Sequence, residues 1–281
     1  MARRETSTSA QHVIKPTSGW MPVHLGELWE YRELLYFLTW RDVKVRYKQA
    51  VLGVAWVVIQ PLFAIVVFGV VFNRVLGVGS GDPDVPYPVM TFAGLLPWQL
   101  FSGALQRVST SLVGNANLLT KVFFPRLVIP VSGVAAGLVD FAISFVVFLV
   151  MMLAYGMVPT WRIVFLPLLV VLAMLTALGF GLWLSALNVL YRDVQYVIPY
   201  VIQLWLFLSP VAYPATAVTG VWRYLYGLNP MAGVVQGFRW CLYGDVAPDA
   251  LLAVAVAIVA VVLVTGLYYF RRMERTFADV V

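Results

Sequence analysis

The stretch ALLAVAVAIVAVVLVTGLYYF, residues 250–270, contains no charged side chain and no break other than Gly266. About 20 apolar residues in a helix cross the roughly 30 Å hydrocarbon core of a bilayer, so this segment reads as a transmembrane helix. The rest of the chain has the same character. Apolar residues make up 62% of it and charged residues 11%, against about 25% charge in a soluble domain. With a mean hydropathy of +0.87, it lacks the groups needed to cover a water-facing surface. Lipid is its solvent.

Working outward from that helix, residues 214–248 are apolar and aromatic but interrupted by Pro214, Gly220, Gly227, Pro230, Gly237 and Gly244. Each run between these breaks is too short to cross, which reads as re-entrant or interfacial half-helices. Further spans are expected at about 52–76 (carrying Pro61), 87–111 (broken at Pro97), 127–155, 163–187 and 197–213. Polar links at 114–126 and 188–193 join the second span to the third and the fourth to the fifth. In front of the first span, Leu25, Leu28, Leu35 and Leu38 recur at helical spacing among acids, with Trp29, Tyr31, Tyr36 and Trp40 beside them. That is an amphipathic helix lying at the membrane interface.

The expected architecture is therefore all-α: six transmembrane helices, an N-terminal interface helix and an outer re-entrant hairpin before the last span. Residues 1–24 read as a flexible polar tail without a signal peptide, 25–49 as the interface helix and basic entry segment, and 50–281 as one transmembrane domain. If both termini are cytoplasmic, 14 of the 19 Lys and Arg lie inside, as the positive-inside rule requires. The net charge of +6 is spread over these short basic stretches, which suits topology and anionic headgroups rather than nucleic acid.

The chemistry is sparse. No phosphate loop, H-E-x-x-H, G-x-S-x-G or Cys/His metal spacing occurs. Cys241 stands alone, and His12 and His24 read as solvated. No catalytic or metal-binding residue is assigned. Among intramembrane charges, Asp140 is the most costly, at about 2.5–3.5 kcal/mol on insertion scales. It either pairs with Arg107 or lines a polar path.

The entry to the first span reads Arg41-Asp42-Val43-Lys44-Val45-Arg46-Tyr47, then Leu52-Gly53-Val54-Ala55-Trp56, ending at Gln60-Pro61. This resembles the permease family of ABC-2 exporters, in particular the subfamily that exports O-antigen, teichoic acid, capsule and galactan chains. Its pattern is R-D-x-x-x-R-Y, then L-G-x-x-W and a proline. Gln49 and Ala50 stand where small polar residues are expected. The likeness continues through Gly94-Leu95-Leu96-Pro97-Trp98, Asn115 to Leu119 with Phe124-Pro125-Arg126, Asn188 to Asp193, Leu208 to Val211, and Leu228-Asn229-Pro230.

The resemblance implies a homodimer in a bacterial cytoplasmic membrane. Each copy would bind one of two soluble ABC ATPase subunits, which carry ATP and Mg, and the cargo would be a lipid-linked polysaccharide. It also places the ATPase contact on the two links, at Asn117, Lys121, Arg126, Tyr191, Arg192 and Asp193, although Arg126 and Arg192 suit headgroup anchoring equally. The aromatic outer segment reads either as an interfacial belt or as a gate whose rings stack on sugars. The candidate lining is Trp98, Phe101, Trp183, Tyr200, Trp205, Tyr213 and Tyr224. Competing readings are a drug or lipid exporter, a membrane-embedded glycan-assembly enzyme or scaffold, and a secondary transporter. The enzyme would need clustered acids and the secondary transporter inverted repeats; neither is visible.

Overall fold

A computed structural model describes residues 25–48, 53–247 and 250–280. Among them there is no strand. The helices are α1 (Leu25–Glu30), α2 (Arg32–Lys48), α3 (Gly53–Phe68), α4 (Tyr87–Gly114), α5 (Ala116–Lys121), α6 (Val128–Ala135), α7 (Gly137–Ala154), α8 (Leu166–Leu190), α9 (Val194–Phe207), α10 (Val221–Gly227), α11 (Pro230–Tyr243) and α12 (Ala250–Val280). The expected tail, residues 1–24, and Gln49, Ala50 and Leu52 at the entry to the first span lie outside the described residues.

Four stretches are long and apolar enough to cross a membrane: Ala55–Val75, Val128–Ala154, Trp161–Leu190 and Leu252–Glu274. The first runs through α3 into a π-helical turn, Gly69–Val75, and the second joins α6 to α7 through Ala136, whose dihedrals stay helical. The helix at the centre of the bundle is not one of these four. It is α4, which carries Gln99, Ser102, Gln106, Arg107, Ser109, Thr110 and Ser111 and packs against α6, α7, α8 and α11. The division follows from the solvent: lipid cannot hydrogen-bond polar groups, so a long helix carrying this many polar side chains along its length is wrapped by apolar ones.

Two boundaries differ from the sequence expectation. Pro97 does not break α4, because burial on several sides outweighs the roughly 3 kcal/mol that an interior proline costs a helix. The fifth apolar run stops at Phe207, so α9 has 14 residues, and Leu208 to Tyr213 form turns instead. Tertiary contacts hold that segment unwound.

The amphipathic segment folds as α1 and α2. On α2, Leu38 and Val43 are buried while Tyr36, Phe37 and Trp40 stay exposed, and α2 packs on α6 and leads to α3.

Candidate functional site

Asp140 on α7 is met by three donors. Arg46 and Tyr47, from the last turn of α2, reach its two carboxylate oxygens, and Arg107 Nη1 of α4 lies 3.4 Å from Oδ2. Arg107 also donates through Nε to the Gly133 carbonyl, at 2.9 Å. A Cβ on Gly137 would collide with the Arg107 guanidinium, so that glycine lets the cation pass. Burial, and then the hydrogen bond and charge of Asp140, hold the Tyr47 phenol well above its ordinary pKa. It therefore remains a neutral donor. One carboxylate between two guanidiniums leaves one positive charge over.

This cluster divides two cavities. One, of about 640 Å³, lies between α3, α4 and α7 and is lined by Gln60, Gln99, Ser102 and Gln106 among others. The other, of about 560 Å³, lies towards Arg41, Thr110 and Asn115. Both are bounded by Arg46, Arg107 and Asp140. Spacings of three and four place Gln99, Ser102 and Gln106 on one face of α4. Among the described residues, the side-chain amides of Gln60, Gln99 and Gln106 take no hydrogen-bond partner from the protein. The sequence reading missed this stripe, although the 3–4 period of polar residues inside an apolar segment was a readable signal.

A second polar centre lies at the other end of α4. Arg239 of α11 is 1% exposed and donates to the carbonyls of Val211, at 3.0 Å, and Tyr213, at 3.1 Å. Tyr87 donates to the Ala212 carbonyl at 2.6 Å. Asn229 caps α11 through Met231 N, accepts from Trp205 Nε1 at 2.9 Å, and donates to the Leu208 carbonyl and Ser209 Oγ. A Cβ at Gly94 would come within 3.1 Å of the Val211 backbone. The unwound segment after α9 is thus clamped carbonyl by carbonyl. In the sequence Arg239 reads as one more outer basic residue, whereas the fold buries it.

The expected partner-contact residues emerge at one end of the bundle. Asn188 Nδ2 donates to the Ser109 carbonyl at 3.1 Å, which joins α8 to α4 just before their links. Arg41 Nη2 donates to Asn115 Oδ1 at 2.9 Å and ties α2 to the first link. Asn117, Lys121, Tyr191, Arg192 and Asp193 are exposed there. Arg126 is held by the Glu274 carbonyl and lies 6.0 Å from the Phe277 ring, so its charge is engaged with α12. Phe123, which the sequence reading passed over, is 89% exposed between Lys121 and Arg126.

The aromatic candidates separate by position. Trp98 and Phe101 are buried, and Phe101 packs on Trp205 at 4.9 Å between ring centres. Trp183 stacks on Tyr269 at 4.3 Å. Tyr213 donates to the Phe207 carbonyl at 3.0 Å, and Tyr200 is fully open at 70% exposure. Tyr224 lies on α10, but its side chain is outside the described set.

Comparison with known proteins adds an independent line. The ABC-2 type transporter family matches residues 33–243. The O-antigen export system permease protein RfbA of Myxococcus xanthus is 34% identical over 254 residues, 88% of this chain and 96% of that protein. A protein of the same name from Klebsiella pneumoniae is 28% identical over 92% of this chain and 98% of its own length. The polysialic acid transport protein KpsM of Escherichia coli is 26% identical over 83% of this chain and 91% of its own length.

Proposed function

We propose, from the premise that this chain belongs to the ABC-2 type transporter family, that it is the permease subunit of an ATP-driven polysaccharide exporter. The observation that carries the reading is similarity along nearly the whole chain to permeases named for O-antigen and polysialic acid transport. It is a multi-pass membrane protein and a transporter rather than an enzyme.

The finer reading is this. Six spans cross the bacterial cytoplasmic membrane: the four apolar stretches, α4 shielded at the centre, and the short α9. Helices α10 and α11 form a re-entrant hairpin at the outer face, and both termini are cytoplasmic. Residues 25–49 serve as the interface and entry segment of a single transmembrane domain, 50–281. Two copies form the conducting unit. The exposed α9 face bearing Tyr196, Tyr200, Leu204 and Phe207 supports this, since an aromatic stripe of that kind suits a second protein surface. Two soluble ABC ATPase subunits, holding ATP and Mg, dock on the end where α2 and both links are tied together through Arg41, Asn115, Ser109 and Asn188. The cargo is a lipid-linked polysaccharide.

Depleting the protein from its host and measuring surface polysaccharide tests the substrate. Surface glycan should fall while glycan accumulates inside, and normal surface levels would overturn the assignment. A reporter fused after Val281 should read cytoplasmic, and an external signal would overturn the topology.

A further inference from the structure

We propose that the groove between the second half of the first span and the end of α7 seats one resident phospholipid of the outer leaflet, and that Arg74 selects an anionic headgroup for it. The leaflet rests on the reading that both termini are cytoplasmic, which puts Arg74 at the outer face. The occupant is a lipid of the bilayer itself, distinct from any cargo.

The groove measures about 620 Å³. Along one wall Leu62, Ile65, Val66, Gly69 and Val70 follow at spacings of three and four, and so share a face of the span. Met151 of α7 stands on the other side. Leu62, Val66 and Val70 are exposed, and in a bilayer apolar surface of this kind is met by acyl chains. From Leu62 to Arg74 the wall runs roughly 18 Å at about 1.5 Å per residue, close to half of a ~30 Å hydrocarbon core. The groove is one leaflet deep. A Cβ on Gly69 would meet no atom within 4 Å, so the glycine leaves space that the protein does not fill.

The polar groups gather at one end. Asn73 and Arg74, from the π-helical turn Gly69–Val75, border the groove together with Tyr155, which caps α7. All three are exposed, and among the described residues their side chains take no hydrogen bond or ion pair from the protein. An arginine at the end of an apolar span lays its stem along the lipid and places its charge at the headgroups. Its planar fork matches phosphate, while Asn73 and Tyr155 both donate and accept, as the hydroxyls of a glycerol headgroup require. A choline headgroup would instead bring a second cation to Arg74, and no acid lines the groove to offset it. Apolar length, leaflet depth and an unpaired cation at the headgroup end together describe the seat of an anionic phospholipid.

The test uses the full chain in phosphatidylcholine nanodiscs. Two probes are compared, phosphatidylglycerol and phosphatidylcholine, each with a photoreactive diazirine midway along one acyl chain, and the labelled residues are mapped by mass spectrometry. Phosphatidylglycerol should label residues 62–70 and Met151 at about 5-fold lower concentration, equivalent to ~1 kcal/mol, the size expected for one arginine facing anionic lipid. Arg74→Gln should erase that preference while both probes still label. Arg223→Gln, at another outer arginine, should keep it. Gly69→Leu fills the groove with Arg74 still in place, and should abolish labelling of Met151 by both probes. If that variant does not reconstitute, Val66→Trp, from an exposed position on the same wall, should do the same. Equal labelling by the two probes in the wild type, no labelling because a second copy covers the groove, an unaltered preference in Arg74→Gln, or its loss in Arg223→Gln would overturn the site. Failure of the topology looks different: the labelling pattern would persist while a reporter after Val281 reads external.

Discussion

Arg107 and Arg239 are both taken out of water by the same helix bundle, yet they are compensated in opposite ways. Arg107 shares a carboxylate with Arg46 at the boundary of two cavities, and its side chain keeps 17% exposure. Arg239 is 1% exposed, and among the described residues its acceptors are two main-chain carbonyls of an unwound turn. A guanidinium paired with a carboxylate beside open space can exchange that partner for another anion. One clamped on carbonyls in close packing has no partner to exchange, and among the described residues the carbonyls have no other donor. The first arrangement suits a site that must release its ligand, and the second a corner that must not move.

The largest effect should come from breaking the second arrangement. Arg239→Met leaves one buried and one part-buried carbonyl unpaired, at about 1–3 kcal/mol for a buried one, so thermal unfolding in detergent should show a loss of several kcal/mol or no folded protein. A variant within ~1 kcal/mol of wild type would mean that the turn does not depend on Arg239.

Asp140→Asn should cost less, about 1–3 kcal/mol, because the carboxylate is partly exposed and both cations can reach water through the cavities. Adding Arg107→Gln should recover only part of the loss, since Arg46 and Tyr47 keep their claim on residue 140. A double-mutant cycle on unfolding free energies measures this. Full recovery would reduce the cluster to a simple pair.

Tyr47→Phe should cost about 1 kcal/mol, seen as faster hydrogen exchange in the last turn of α2. The phenol's pKa is raised in the folded state, so its contribution is fully present below its ordinary value near 10 and is lost only at higher pH. The α2 contact should therefore not change between pH 7 and 9, and a marked pH dependence there would remove Tyr47 from the cluster.

The smallest effect on stability should come from Arg192 and Asp193, which are exposed and outside both centres. Replacing both by alanine should shift unfolding by no more than about 0.5 kcal/mol, while ATPase-coupled export falls. Unchanged export would take the second link out of the coupling.

Much of this molecule was legible before folding, for a physical reason. Lipid enforces composition segment by segment, so the apolar runs at 250–270 and 163–187 declare themselves without knowledge of their neighbours. Basic links are equally local, and so are motif strings such as Arg41-Asp42 or Leu228-Asn229-Pro230. The opposite polar centre was not local. Helical spacing places Gln99, Ser102 and Gln106 on one face but does not say what that face meets. Only the fold turns it towards Gln60, brings Arg46 and Tyr47 to an acid more than 90 positions away, and encloses Trp98 and Phe101 in the core while Tyr200 stays open. Arg239 shows the same limit. Its charge suggests an exposed residue, but the carbonyls of an interrupted helix must find donors where water is excluded. Which donor answers is decided by which helix packs there, and that is a property of the tertiary structure alone.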